Sequence, residues 1–358
     1  MSQILSVARQ QCVSSHSGEQ VEAAEYAVSQ LLDGRDLGRA QAHDLFASIV
    51  QGHLPDPLMA AVFVALRIRG ETSEELIGAA TALRSAARAF PAPDYLFADS
   101  CGTGGDFSGS INVSTAAAFV AAACGLPVAK HGNRSFTSKC GSADVLEALG
   151  ARLDLTPLES REILDRTGFC FLLAPMYHPG IAHAGAVRRA LKVRTIMNLL
   201  GPCLNPAGPK VQLLGVADPA RLRPIAETLR ALGVQRALVV HGSGLDEIAL
   251  HAFTQAVQLE DGEIEELELT PEQAGLKRMA VERIVGGTPE QNAERLSALL
   301  SGRGAAADEA VVALNAGALL AIADKAADLR DGVGTALEAI RSGQANAVLQ
   351  SFVEASRG

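Results

Sequence analysis

Residues 99–150 read DSCGTGGDFSGSINVSTAAAFVAAACGLPVAKHGNRSFTSKCGSADVLEALG, and this stretch decides the fold. It contains two glycine-rich segments, termed here the first loop (Cys101–Ser110) and the second loop (Lys130–Ser138). A small-residue helix is predicted between them, at about Ser114–Cys124, and the apolar run Tyr95–Ala98 predicts a short strand that leads into the first loop. Glycines let a backbone bend and a ligand approach, and the N–H groups at a helix N-terminus bind anions. The stretch therefore indicates a ligand with more than one phosphate group.

The residues alone leave a second interpretation open. A glycine-rich loop is often only a tight turn, and this stretch has neither the G-x-G-x-x-G nor the G-x-x-x-x-G-K-[ST] pattern of generic nucleotide sites. The side chains that favour a phosphate site are Lys130, His131, Asn133, Arg134, Ser135, Thr137 and Ser138, with Asn112, Ser114 and Thr115 as candidate N-cap residues of the helix.

Composition and charge narrow the class of protein. The chain has 358 residues, enough for two domains, and a formal net charge of −9, which argues against a general nucleic-acid binder. We see no signal peptide and no apolar run of the ~20 residues that a membrane span requires. The cysteines are scattered without metal-ligand spacing, at Cys12, Cys101, Cys124, Cys140, Cys170 and Cys203. We therefore expect reduced thiols in a cytoplasmic protein, with Cys101 and Cys140 as buried filler rather than reactive groups.

Periodicity divides the chain into three parts. Residues 1–18 lack a pattern and predict a disordered or frayed leader, whereas residues 19–90 predict four helices that form a small helical domain. The third of these helices, Leu58–Ile68, is apolar nearly all round, so we expect it to be buried on most sides. Residues 94–358 predict a larger α/β domain.

The pattern of the α/β domain indicates a mixed, largely parallel central sheet with helices packed around it. Buried strands are predicted at Phe169–Ala174, Gln212–Ala217 and Ala237–His241, and a helix starting at Asp218-Pro219 joins the last two as a parallel βαβ unit. Asp261-Gly262 lies between two further strands and predicts a hairpin.

Two charged segments are candidates for binding. Met176–Pro209 is rich in basic residues and includes a predicted helix at about Ala182–Leu191, on which Arg188 and the next residue cannot share one direction. The segment His241–Glu247, HGSGLDE, places two carboxylates after a strand, where open α/β sheets bind ligands. From the residues alone, the first segment could also be a solvated basic helix face, and the two carboxylates of the second could belong to a surface turn or a helix cap.

The motifs GTGGD, NVST, KHGNR and GSADVLEALG, in this order, closely resemble those of the anthranilate phosphoribosyltransferases of tryptophan biosynthesis. RTIMNLLGPCLNPAG and GLDE match further segments of the same family. The resemblance implies a nucleoside-phosphorylase-like fold in which about 182–208 contributes to the helical domain, and a homodimer through that domain. The implied reaction transfers the phosphoribosyl group of 5-phosphoribosyl 1-pyrophosphate to the amine of anthranilate, giving N-(5-phosphoribosyl)anthranilate and pyrophosphate.

The resemblance also implies the residues of the site. Phosphoribosyl pyrophosphate would be held by Gly102, Gly105, Asp106, Ser110, Asn112, Val113, Ser114, Thr115, Lys130, His131, Gly132, Asn133, Arg134, Ser135, Phe136, Thr137, Ser138 and Ser142. Anthranilate would contact Gly102, Asn133, His178 and Arg188, whose guanidinium suits a carboxylate. Ser114, Asp246 and Glu247 would bind Mg²⁺, two ions per monomer, and Lys130, His131 and Arg188 are the candidate catalytic residues.

The sequence departs from the family pattern at two places, and two other functions are compatible with the same fold. Phe107-Ser108-Gly109 stands where the family has small residues, which predicts a stiffer first loop, and Cys140 stands where serine is common. A nucleoside phosphorylase would share the fold, but GTGGD with KHGNR is not its loop pattern. A non-catalytic nucleic-acid-binding relative would be basic and would lose Arg188, Asp246 or Glu247, all of which this acidic chain retains.

Overall fold

The computed structural model describes residues 22–135 and 139–358. The predicted leader, residues 1–18, and the candidate ligands Phe136, Thr137 and Ser138 lie outside the described residues. The chain divides into two compact units. The first contains the residues up to Ala87 together with His178–Leu200, and the second contains Arg88–Tyr177 together with Gly201–Gly358.

The first unit is helical. Its helices are α1 (22–32), α2 (Arg39–Val50), α3 (Asp56–Arg69), α4 (Ser73–Ser85), α9 (Gly185–Leu191) and α10 (Ile196–Leu200), with a 3₁₀ turn at Pro179–Ala184 before α9. The helix predicted at Ala182–Leu191 is therefore divided between the 3₁₀ turn and α9. Helix α4 begins with a capping box in which Thr72 Oγ1 accepts from the Glu75 N–H and the Glu75 carboxylate accepts from the Thr72 N–H at 2.9 Å.

The prediction that the third helix is buried on most sides is wrong for this chain. The buried side chains of α3 form one stripe, namely Met59, Val62, Phe63 and Leu66. Ile68 is 81% exposed. Because a helix at the surface of a small bundle has packing partners on one side only, an apolar composition does not by itself bury its other face.

The second unit contains one seven-stranded sheet with the order β3-β2-β1-β4-β5-β6-β7. The strands are β1 (Ala98–Gly102), β2 (Val128–Gly132), β3 (Phe169–Leu173), β4 (Val211–Gly215), β5 (Arg236–His241), β6 (Thr254–Glu260) and β7 (Glu263–Leu269). Strands β1 to β5 are parallel to one another, whereas β6 is antiparallel to both β5 and β7. The predicted fold class, a helical part and an α/β part with a mixed, largely parallel sheet, is confirmed.

The helices of the second unit lie between and after these strands. They are α5 (Val113–Ala123), α6 (Ser142–Ala148), α7 (Pro157–Thr167), α8 (Ala174–Tyr177), α11 (Leu222–Ala231), α12 (Pro289–Ala298), α13 (Ala306–Ile322), α14 (Leu329–Arg341) and α15 (Gln344–Arg357). Helix α11 joins β4 to β5, as the βαβ pattern predicts, and the hairpin turns at Asp261 (φ 47°) and Gly262 (φ 90°). Two positive φ values in succession are typical of the type I′ turn that joins twisted strands.

The strand predicted at Tyr95–Ala98 is misplaced, because β1 begins where that run ends. Strand β1 contains Asp99 and Ser100, residues of low strand propensity that are nevertheless completely buried. The Asp99 carboxylate accepts from Asn205 Nδ2 at 2.9 Å, and this bond offsets the cost of burying a polar group inside the sheet.

The core of the second unit lies around α5, whose short alanine side chains let neighbouring elements approach closely. The Phe119 ring lies 4.1 Å from that of Phe169 on β3 and 6.0 Å from that of Phe352 on α15. Within the described residues, no single helix is long and apolar enough to cross a membrane. The pair Pro289–Arg303 and Ala306–Ile322 passes by length and composition only when taken together, and it is bent by 83°.

Candidate functional site

The carboxyl ends of β1, β2 and β5 bring together the first loop, the second loop and the segment His241–Glu247, termed here the acidic turn. Because these strands are parallel members of one sheet, the chain segments that follow them emerge at the same edge. All three segments belong to the second unit.

Contact between Gly102, Gly104 and Asp246 explains the glycines of GTGGD. Asp246 Oδ2 accepts from the Gly104 N–H at 2.6 Å. A Cβ atom placed on Gly102 would lie 2.3 Å from the same oxygen, so a side chain there would displace the Asp246 carboxylate. Gly104 has a φ of 67°, in the left-handed region that favours glycine. The first loop is thus shaped around the Asp246 carboxylate.

The acidic turn forms a cluster of carboxylates with the first loop. Asp106 Oδ2 accepts from the Asp246 N–H at 3.5 Å, and Glu247 Oε1 accepts from the Ser114 N–H, at the start of α5, at 3.1 Å. Burial, and next the charge of Asp106, raise the pKa of the Asp246 carboxyl. Burial, and next the charge of Asp246, raise the pKa of Glu247, while Lys130 opposes the shift. Buried like charges of this kind are stabilised by a cation.

The donor set of this cluster suits magnesium. Asp246 and Glu247 supply carboxylate oxygens and Ser114 supplies a hydroxyl oxygen, and Mg²⁺ prefers one or two carboxylates together with water and substrate phosphates. The described residues contain no group of three or more histidine, cysteine, aspartate or glutamate side chains placed to hold a metal by themselves. Any Mg²⁺ here would therefore take further ligands from its substrate.

Lys130 is the buried cation of the site. Its side chain is 2% exposed, and Nζ donates to the Ser100 carbonyl and to Ser114 Oγ, the latter at 3.2 Å. The ammonium group also acts electrostatically on Asp99 and Glu247. Lys130 is thus held against the start of α5, beside the proposed metal ligands.

The described part of the second loop, up to Ser135, is held by α6. Arg134 forms an ion pair with Glu147, Ser142 Oγ donates to the Asn133 carbonyl at 3.3 Å, and Asp144 Oδ2 accepts from the Ser135 N–H at 2.8 Å. Within the described residues, the Arg134 side chain therefore stabilises the shape of the loop through its ion pair with Glu147.

The remaining sequence-predicted residues differ in exposure. Val113 and Thr115 are buried at the start of α5, and His131 is buried on β2, whereas Gly105, Ser110 and Gly132 are half-buried. Phe107 is 81% exposed and has a φ of 57°, a strained backbone for an aromatic residue.

Asn112 stands at the N-cap position of α5, but the prediction that it caps the helix is wrong. No cap hydrogen bond is formed by its side chain. Instead Nδ2 donates to the Cys140 carbonyl at 3.3 Å, and Oδ1 accepts from Asn292 Nδ2 at 3.0 Å. The side chain joins neighbouring segments rather than the turn of its own helix.

The cysteines near the loops behave as packing residues. Burial raises the pKa of the Cys101 thiol well above its usual range, and it raises the pKa of Cys140 to about 11. Both thiols are protonated at neutral pH and are therefore poor nucleophiles.

Three buried asparagines support the site and were missed by the sequence analysis. Asn205 joins Asp99 to the Ala129 carbonyl, and Asn292 joins Asn112 to the Gly287 N–H. Asn315, on α13, accepts from the Ile248 N–H at 2.9 Å and donates to the Ile248 carbonyl at 3.2 Å, which fixes the backbone directly after the acidic turn. A lone amide in an apolar run such as VVALNAGALLAI is the signal that points to such a residue.

His178 and Arg188 belong to the first unit. His178 is buried, whereas Arg188 on α9 is half-buried, and burial lowers the pKa of its guanidinium. Arg189 is exposed, which agrees with the prediction that the two arginines point in different directions.

The chain matches two family models and is similar to curated proteins over most of its length. Residues 94–346 match the family model described as the glycosyl transferase family α/β domain, and residues 26–87 match the helical bundle domain of the same family. An anthranilate phosphoribosyltransferase of Sorangium cellulosum is 54% identical, over 92% of this chain and 95% of that protein. One of Aeromonas salmonicida is 51% identical, over 89% of this chain and 94% of that protein.

Solved structures agree with these relatives. The anthranilate phosphoribosyltransferase of Thermus thermophilus superposes with a TM-score of 0.88 at 42% identity, covering 93% of this chain and 99% of that one. The Saccharomyces cerevisiae enzyme in complex with phosphoribosyl pyrophosphate and Mg has a TM-score of 0.85 at 25% identity, covering 94% of this chain and 98% of that one.

Proposed function

This chain belongs to the anthranilate phosphoribosyltransferase family, and we propose that it transfers the phosphoribosyl group of phosphoribosyl pyrophosphate to the amine of anthranilate, a step of tryptophan biosynthesis. The observation that carries the proposal is the interlocking of the acidic turn with the first loop and α5. Asp246 accepts from Gly104 and Glu247 from Ser114, so the proposed metal ligands and the phosphate-binding backbone are parts of one arrangement.

The residues of the second unit suit a reaction in which pyrophosphate leaves the ribose C1 carbon. Departure of pyrophosphate places positive charge on the ribose and negative charge on the leaving group. Mg²⁺ bound by Ser114, Asp246 and Glu247 would supply positive charge to the pyrophosphate. Lys130 lies against Ser114 and adds a fixed positive charge at the same end of α5, whose N-terminal N–H groups favour anions.

Phosphate binding is assigned to both loops. In the first loop and the start of α5 the proposed ligands are Gly102, Gly105, Asp106, Ser110, Asn112, Val113, Ser114 and Thr115. In and after the second loop they are Lys130 to Ser138 and Ser142. Buried Val113 and Thr115 would contribute mainly through backbone groups.

Anthranilate is assigned to Arg188, His178, Asn133 and Gly102. The planar guanidinium of Arg188 can bind the anthranilate carboxylate with two hydrogen bonds, and half-burial strengthens such a pair relative to one in water. An aromatic amine is unprotonated at neutral pH, so attack on the ribose needs no strong base. His131 and His178 therefore serve as donors and pocket walls in this proposal.

A homodimer through the helical unit is also proposed, in a cytoplasmic enzyme that uses two Mg²⁺ ions per monomer. Exposed apolar side chains on that unit support the dimer, since Tyr26 is 58%, Leu32 66% and Ile68 81% exposed. Ile68→Lys should convert the dimer to a monomer in analytical ultracentrifugation.

The experiment that tests the function follows anthranilate fluorescence with and without phosphoribosyl pyrophosphate and Mg²⁺. Consumption that requires both supports the proposal. Neither rival function is favoured by an observation: the chain is acidic, and it retains the carboxylate pair and Arg188.

A further inference from the structure

Asn292 of α12 has a buried amide side chain whose nitrogen and oxygen both form hydrogen bonds with residues outside α12. Its side chain is 4% exposed. Nδ2 donates to Asn112 Oδ1 at 3.0 Å, and Oδ1 accepts from the Gly287 N–H at 2.7 Å. Because breaking a buried hydrogen bond leaves an unsatisfied polar group, these two bonds restrict where Asn112 and Gly287 can lie.

Asn112 in turn joins the two loops. It lies two residues after the first loop, and its Nδ2 donates to the carbonyl of Cys140, which lies two residues after the second loop. The Cys140 thiol donates back to Asn112 Oδ1 at 3.4 Å. Asn292 therefore orients the side chain through which the end of one loop is tied to the end of the other.

Helix α12 supports the first loop in a second way. The backbone of 284–286 runs against the loop, with the Ile111 N–H donating to the Ile284 carbonyl at 2.8 Å and the Gly286 N–H to the Gly109 carbonyl at 2.7 Å. One turn after Asn292, Arg295 donates to the Val285 carbonyl at 2.6 Å and forms an ion pair with buried Asp308. The helix thus fixes both the segment beside the loop and the residue that ends it.

We infer that Asn292 is a positioning residue for phosphoribosyl pyrophosphate, acting through Asn112 to hold the two phosphate loops at a fixed separation. The inference rests on the proposed function, which assigns the phosphates to these loops. Asn292 itself need not touch the ligand. Its loss should weaken binding of phosphoribosyl pyrophosphate while leaving the use of anthranilate nearly unchanged.

The test compares three variants in the full-length protein. Asn292→Asp keeps the size of the side chain and the acceptor for Gly287, but it has no donor for Asn112. Asn292→Leu removes both bonds, and Glu294→Ala, at an exposed position of the same helix, is the matched control. We expect Asn292→Asp to raise the KM and the calorimetric Kd for phosphoribosyl pyrophosphate about tenfold, with the KM for anthranilate changed less than about twofold. Glu294→Ala should match the wild type.

Two results would overturn the inference. One is a folded Asn292→Asp protein with wild-type Kd and KM for phosphoribosyl pyrophosphate. The other is an equal rise in both KM values, which a purely structural defect would give. If Asn292→Leu does not fold, the aspartate variant decides. A wild-type protein that binds phosphoribosyl pyrophosphate but does not consume anthranilate would refute the proposed function, whereas weaker binding by Asn292→Asp would still support the inference.

Discussion

Replacing Asp246 by asparagine should make the metal-free protein more stable and at the same time a poorer enzyme. The half-buried Asp246 side chain lies beside Asp106 and Glu247, and the pKa of its carboxyl is raised first by burial and next by the charge of Asp106. An asparagine can still accept from the Gly104 N–H through its amide oxygen, so the contact that shapes the first loop is kept. The substitution removes a negative charge that is partly shielded from water.

The size and pH dependence of the stabilisation follow from the raised pKa. A carboxyl whose pKa is higher in the folded than in the unfolded protein binds protons more strongly when folded, so its contribution to the free energy of unfolding is lost as the pH rises from about 4 through neutrality. One pKa unit corresponds to about 1.36 kcal/mol, and partial relief of this cost should add about 2 kcal/mol near pH 8 and almost nothing near pH 4. For a unit of this size, that gain raises the Tm by about 4 °C.

Thermal unfolding in EDTA at the two pH values, with Mg²⁺ titrations of activity, measures both effects. The Mg²⁺ concentration for half-maximal rate should rise about tenfold or more, as expected when a metal ligand is lost. Glu265→Gln, on the exposed face of β7, is the control and should change neither quantity. A variant that melts at or below the wild-type temperature near pH 8, or that keeps the wild-type Mg²⁺ requirement, would refute the reasoning.

Three further predictions concern the substrate pocket, the acidic turn and the first loop. Arg188→Ala should lower kcat/KM for anthranilate about ten- to a hundredfold, and Arg188→Lys should restore only part of the loss. Wild-type kinetics in Arg188→Ala would show that another residue contacts the carboxylate. Asn315→Leu should remove the hydrogen bonds to Ile248 and lower the free energy of unfolding by about 1–3 kcal/mol. It should also raise the Mg²⁺ concentration needed for activity, and a Mg²⁺ titration at reduced temperature separates this effect from unfolding. Gly102→Ala places a methyl group 2.3 Å from Asp246 Oδ2 and should abolish activity in a protein that still folds, whereas Gly334→Ala, where the space is open, should leave activity unchanged.

The sequence predicts the elements whose local signals agree with their packing. The βαβ unit and the turn at Asp261-Gly262 both follow from short-range patterns, and the structure has both. Strand β1 is different, because Asp99 and Ser100 have low strand propensity and are held in the sheet by partners distant in sequence. The same holds for α3, where composition cannot show that only one stripe of the helix has a partner.

Much of the candidate site could also be predicted, and the reason is chemical. Two features of the site are recognisable in the sequence. Gly102 belongs to a glycine-rich motif that lets the backbone approach a carboxylate, and Asp246 lies in a pair of carboxylates that follows a strand. The supporting asparagines cannot be recognised in this way, because Asn292 and Asn315 act over long sequence separations and their partners are mostly backbone groups. Asn112 shows the same difficulty, because its position predicts a helix cap while its actual partners lie on other segments.

The proposed transfer of the phosphoribosyl group to anthranilate is tested most directly by anthranilate fluorescence in the purified protein. Fluorescence should decay only when phosphoribosyl pyrophosphate and Mg²⁺ are both present, and pyrophosphate should form in equal amount. The decay should become slow in the Asp246→Asn/Glu247→Gln double variant at limiting Mg²⁺ and recover as Mg²⁺ is raised. Steady fluorescence in a folded wild-type protein supplied with both, or a decay that is independent of either one, would contradict the account.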